Sequence, residues 1–206
     1  MTRRLLLYPL WLRLWHWVNA LLFLSLLVTG VSLHFGSQAI PFATARQVHN
    51  ISGLMLAVGW AFHVVASIRS GNVRHYIPRW KGLAGDVIRQ ARFYGVGIFR
   101  DEPHPFPPTA ERKFNPMQQV TYLAVVYVLM PVLIVNGIVF MVPDLAVDVF
   151  NYGAIWLVAG LHYLVALFLF LFMLGHVYLA TAGETVTSEF HKMTRGWVDV
   201  EEKGDE

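Results

Sequence analysis

Residues 154–182 read A-I-W-L-V-A-G-L-H-Y-L-V-A-L-F-L-F-L-F-M-L-G-H-V-Y-L-A-T-A, with no Asp, Glu, Lys or Arg among them. Crossing a bilayer's hydrocarbon core takes about 20 mostly apolar residues. A helix this long and apolar on every side belongs in lipid rather than on a globular core. Two imidazoles stand inside it, His162 and His176, fourteen residues apart. At about 100° and 1.5 Å per residue, fourteen steps return to within roughly 40° of the same face after a rise of about 21 Å. One helix therefore offers two imidazoles on one face, one toward each side of the membrane.

Three further stretches have the same character, from about 10 to 33, 48 to 68 and 117 to 142. The chain of 206 residues is 56% hydrophobic and 14% charged, with a mean hydropathy of +0.50. A soluble domain carries about 25% charged residues. We expect an all-α integral membrane four-helix bundle, residues 1–206 forming a single transmembrane domain. Pro131 interrupts the third span, which a membrane helix tolerates when a neighbour satisfies the freed carbonyl. The absence of cysteine excludes thiolate iron–sulfur ligation and covalent haem attachment through C-x-x-C-H. The first span, with Arg13 and His16 inside it and no small-residue cleavage site, reads as a retained helix rather than a signal peptide. No internal repeat is evident.

Fifteen of the sixteen Lys and Arg residues fall at the N-terminus, in the loop from 69 to 116, or in the C-terminal tail, leaving Arg46 alone on the other side. Both termini are thus expected in the cytoplasm, and the chain in a bacterial cytoplasmic membrane as a multi-pass protein. The basic balance belongs beside anionic headgroups and does not imply nucleic acid. Within the long loop, residues 83–99 read as an interfacial amphipathic helix, weakened toward its end by Gly95 and Gly97. His75, His104 and His191 read as plain loop histidines, and His34 as interfacial.

Ionisable groups inside a span point to function. His16, His49, His63, His162 and His176 qualify, and His49 and His63 repeat the fourteen-residue spacing on the second span. Two imidazoles at each of two depths suit two stacked haems, each held by axial nitrogens from facing helices. One buried histidine is more often structural than a ligand, but two matched pairs on separate spans favour the ligand reading. A transported cation such as zinc is the rival, and the lack of carboxylates inside the spans weighs against it. Span direction places His49 and His162 at the outer level, and His16, His63 and His176 at the inner. Gly30 lies fourteen residues beyond His16 and thins span one where a flat haem would pass, and Gly53 does so one turn beyond His49. On this ground the inner pair is His16 with His176, with His63 the alternative inner ligand.

Arg13-Leu14-Trp15-His16-Trp17 with Val28-Thr29-Gly30, Arg46-Gln47-Val48-His49 with Gly53, and His162 through Gly175-His176-Val177-Tyr178 resemble the b-type cytochrome subunits of nickel–iron hydrogenases, formate dehydrogenases and thiosulfate reductases. The tail, Leu179-Ala180-Thr181-Ala182-Gly183 and Met193-Thr194-Arg195-Gly196-Trp197, is most similar to the thiosulfate-reductase branch. The resemblance covers nearly the whole chain. It implies two bis-histidine b haems as cofactors and a quinone site, for menaquinone or ubiquinone, near the inner haem. His63 is not part of the family's pattern. The family's quinone pocket uses an Asn just ahead of span three, matched here by Asn115 in Phe114-Asn115-Pro116-Met117-Gln118-Gln119, so Asn115, Gln118 and Gln119 are the quinone candidates. The bland role of Asn115 is a helix cap with Pro116 at the first helical position.

The function expected is an electron conduit between the quinone pool and an extracytoplasmic partner, with Arg46 pairing with a haem propionate. The outer loops are too short for a catalytic site, so substrate chemistry falls to other subunits: a molybdopterin or nickel–iron enzyme with iron–sulfur clusters, or a c-type cytochrome. A stand-alone di-haem oxidoreductase and a histidine-lined metal transporter are the other classes.

Overall fold

The computed structural model describes residues 2–201 apart from 110, 182 and 184. Ala182, the expected end of span four, and Lys203 lie outside the described residues. The four expected spans are helices α1 (Leu10–Phe35), α2 (Phe42–Arg69), α4 (Pro116–Ala124) continued through a π-helical turn (Val125–Leu129) into α5 (Met130–Met141), and α6 (Pro143–Ala180). Two boundaries differ from the expectation. α2 starts six residues early, at Phe42, where Ala45 N–H bonds back to the Pro41 carbonyl, so His49 lies two turns inside the helix rather than at its edge. α6 starts at Pro143 instead of near 154, because a proline serves well as a first helical residue.

The chain divides into two compact units. One comprises Leu14–Val65 and Val125–Gly175. Its core is Leu56 of α2, Met130 of α5, and Val165 and Leu169 of α6, with Leu22, Phe23 and Leu26 of α1 packed against it. All four spans thus share one hydrophobic centre. The outside is more apolar than a soluble surface allows: Leu21, Val58 and Leu157 are 69%, 72% and 75% exposed. The small polar groups Thr29, Ser32, Ser52 and Asn136 are buried instead. That inversion is what hydrocarbon demands. Ser25 and Ser52 join α1 to α2 through their hydroxyls at 3.0 Å.

The π-helical turn follows from Pro131. With hydrogen bonds running to the fifth residue onward, the carbonyl of Val126 would need the N–H that Pro131 lacks. Trp60 of α2 supplies the replacement, its indole Nε1–H donating to the Val126 oxygen at 2.7 Å.

The other unit comprises Met1–Arg13, Ala66–Ala124 and His176–Glu206. Strand β1 (Thr2–Leu6) pairs antiparallel with β2 (Trp197–Glu201), Leu6 opposite Trp197. Neither strand is evident from the sequence pattern. Leu7 and Tyr8 N–H both bond the Gly196 carbonyl, and Gly196 adopts φ +85, where a Cβ would stand 2.4 Å from the Tyr8 oxygen. Arg13 donates to the Thr194 carbonyl near the end of helix α7 (Ser188–Arg195). The loop helix α3 spans Leu83–Gly95 and packs on α4. It stops four residues short of the expected end, at the first of the two weakening glycines, and a 3-10 turn (Gly97–Arg100) follows.

Replacing Trp60 with Phe strands the Val126 carbonyl in a low-dielectric interior. The expected cost is about 1–3 kcal/mol, read as a lowered thermal transition of the purified protein in detergent.

Candidate functional site

The outer histidines meet within one unit. The rings of His49 on α2 and His162 on α6 have centroids 6.4 Å apart, tilted by 57°. Two imidazoles sharing one metal ion at about 2 Å per bond have ring centres about 6 Å apart. Both rings are half-buried, and Phe140 lies edge-on to His162 at 5.8 Å.

Thr29 of α1 sets the chemical state of His49. Its hydroxyl carries one proton and gives it to the Ser25 carbonyl at 2.7 Å. The Thr29 oxygen is 2.9 Å from His49 Nδ1, and having spent its proton it acts there as acceptor. Nδ1 therefore carries the hydrogen, and the lone pair is on Nε2. Fixing the tautomer through the far nitrogen is how proteins orient a metal-binding imidazole. Sequence reasoning missed Thr29. The signal was its place one residue before Gly30.

A glycine lies against each ring. A Cβ on Gly30 would stand 3.3 Å from His49 Cε1, a tight approach, and one on Gly137 of α5 would stand 3.6 Å from His162 Cε1, an ordinary contact. Gly30 thus makes room for the imidazole itself. Gly137 was not singled out from the sequence. A Cβ on Gly53 would stand 3.9 Å from Leu26 Cδ2, an ordinary contact. Nδ1 of His162 is buried with no hydrogen-bond partner among the described residues. Arg46, one turn before His49, is exposed.

The inner candidates divide between the units. His16, half-buried, meets Trp17 edge-on at 5.1 Å. His63 is completely buried, its ring stacked on Trp15 at 3.9 Å and 25°, and the same indole donates to the Gly59 carbonyl at 2.9 Å. His63 therefore has an apolar roof that the sequence does not announce. His176 belongs to the other unit, where Tyr122 stands edge-on to it at 6.2 Å. His34 stacks on Tyr163 at 4.5 Å. His75, read as a plain loop residue, is instead 3% exposed.

The three amides ahead of span three are all engaged. Asn115 Oδ1 accepts from Gln118 N–H at 2.9 Å while Gln118 Oε1 accepts from Asn115 N–H at 3.1 Å. This reciprocal pair is a capping box with Pro116 at the first helical position. Asn115 Nδ2 donates to the Tyr94 hydroxyl at 2.9 Å, and Gln119 Nε2 donates to the His75 carbonyl at 3.1 Å.

The residues at the outer level fit an iron porphyrin: paired imidazoles, one locked tautomer, and a glycine close against the His49 ring. Among the described residues no three His, Asp or Glu side chains converge on a point.

Thr29→Val should keep the outer group but loosen His49. The expected signs are a shifted reduction potential and altered low-spin spectra of one centre, with Thr29→Ser restoring both.

Residues 7–196 match the protein family described as Prokaryotic cytochrome b561. The chain is 39% identical over 197 residues to the protein named "Putative cytochrome YdhU" of Escherichia coli (strain K12), covering 94% of this chain and 74% of that one. No solved structure matches it.

Proposed function

The chain belongs to the prokaryotic cytochrome b561 family, and we propose that it is the membrane cytochrome b subunit of a respiratory oxidoreductase. It is a b-type membrane cytochrome of four apolar spans, and such a protein moves electrons across the bilayer. The finer reading is that it holds two b haems and links the quinone pool to an extracytoplasmic redox partner. When bound, a b haem supplies a one-electron centre whose potential the protein tunes.

The observation that carries this reading is the His49/His162 pair, 6.4 Å apart inside a lipid-facing bundle. In the proposed arrangement His49 and His162 hold the outer haem and His16 with His176 the inner one. Thr29 keeps the bare nitrogen of His49 turned to the iron. Leu21, Val58 and their neighbours insulate the path from headgroups and water. Neutral imidazoles meet the hydrocarbon's demand that charge stay out.

At the basic side, Asn115, Gln118 and Gln119 are proposed to face a quinone carbonyl. The capping box supports this role by holding the Asn115 amide rigid, with the Tyr94 hydroxyl as its partner. Arg46 is proposed to meet a propionate at the outer level. Catalytic and iron–sulfur subunits, or a c-type cytochrome, are the proposed outer partners, and the bacterial cytoplasmic membrane the location.

A pyridine spectrum on the purified chain should give two haems per polypeptide. His16→Ala should then halve the count and His63→Ala should leave it whole; the reverse pattern would assign His63 to the inner iron. Asn115→Ala should cost about 1 kcal/mol of stability as a lost cap. It should also slow haem reduction by quinol with haem content unchanged. Lost stability at an unchanged rate would leave Asn115 a cap alone.

A further inference from the structure

The turn that ends α2 opens onto a cavity of about 240 Å³, within the unit that carries both strands. It is lined by Leu5, Leu6, Leu7 and Pro9 on one side and by Ser70, Gly71, Asn72, Arg74, His75 and Lys113 on the other. Its polar half holds an excess of donors. Lys113 Nζ donates to Asn72 Oδ1 at 2.8 Å, which consumes that amide's acceptor. Asn72 Nδ2 is buried without a partner among the described residues, in a residue 5% exposed. Arg74 is exposed. Neither Arg74 nor Lys113 forms an ion pair among the described residues.

The electrostatics carry the same sign. Burial, then Arg74, lowers the Lys113 pKa to about 8. Burial, then Lys113 and Arg74, lowers that of His75 to about 4. At neutral pH Lys113 is charged and His75 neutral, and among the described residues no carboxylate lines the cavity. Nδ1 of His75 is buried without a hydrogen-bond partner among the described residues. On a neutral ring bonded to the Glu111 backbone through its other nitrogen, Nδ1 is an acceptor. The cavity thus asks for an anion that also carries a hydroxyl hydrogen.

We propose that Arg74, Lys113 and Asn72 bind a phosphate group here, with His75 Nδ1 accepting from a hydroxyl on or beside it. Phosphatidylglycerol has this chemistry, and so does free hydrogen phosphate. The leucine wall and the basic side of the membrane favour the lipid headgroup, since basic pockets there attract anionic lipids. The site shares no residue with the haem or quinone candidates and does not depend on their roles.

The test is native mass spectrometry of the full chain in neutral detergent, supplied with phosphatidylglycerol or phosphatidylcholine of matched acyl chains. A parallel thermal-stability titration uses inorganic phosphate. The chain should retain phosphatidylglycerol over phosphatidylcholine, and Arg74→Gln should weaken retention about fivefold, as expected for one charge at the membrane surface. Arg74→Gln with Lys113→Gln should abolish the preference, and Lys113→Arg should preserve it. Stabilisation by phosphate in the native chain but not in the double variant, without lipid preference, would identify free phosphate as the ligand and uphold the site. Equal retention of both lipids with no phosphate effect overturns the proposal, as does an undiminished preference in the double variant. Arg74 is exposed, so its single variant answers the question if the double variant fails to fold.

Discussion

Hydrocarbon offers no hydrogen bonds, so a polar group inside this bundle is costly unless the chain itself supplies a partner. That constraint explains the third span. Pro131 forces a π-helical turn, the turn frees one carbonyl, and Trp60 comes from another helix to meet it. It explains the serine contact between α1 and α2. It also explains why the imidazoles work here. A neutral histidine needs few partners, and a metal can be one of them. The Ser25–Thr29–His49 chain is the same rule taken one step further, with a backbone carbonyl deciding through a hydroxyl which nitrogen of a ring is bare.

The spans were legible because apolar length in a membrane protein leaves few alternatives. The meeting of His49 and His162 was legible too: span direction fixes depth, and these two are the histidines inside the spans that share the outer level. The helix starts at Phe42 and Pro143 were not, since hydropathy marks where lipid ends and not where a helix ends. Thr29 was quoted in a motif without a role, because a hydroxyl's partner depends on helix rotation. Gly137 stayed hidden for the same reason. His75 looked like a loop residue by position, but it is buried at the end of a 3-10 turn, where its carbonyl accepts from Gln119. The strands escaped notice because five residues near each terminus, with charged side chains among them, carry no alternation strong enough to read.

The two polar clusters obey opposite rules. The imidazole cluster is built of neutral groups, with the His49 ring held by the Thr29 hydroxyl. The cavity beside Lys113 tolerates two cations because it lies where spans give way to loops, within reach of headgroups. One chain thus uses histidine twice: as a ligand candidate in the insulated zone, and as a neutral acceptor among cations at its margin.

The pairing of β1 with β2 sets the order of assembly. A ribosome releases Thr2–Leu6 nearly 200 residues before Trp197–Glu201, and all four spans emerge between them. Until β2 appears, β1 lacks the strand that it pairs with here, and their unit cannot close. Contacts this distant in sequence form late and slowly. The insertion machinery must therefore release a nascent bundle whose basic-side unit is still open, and that interval is when the growing chain is most exposed to proteases and to mispairing.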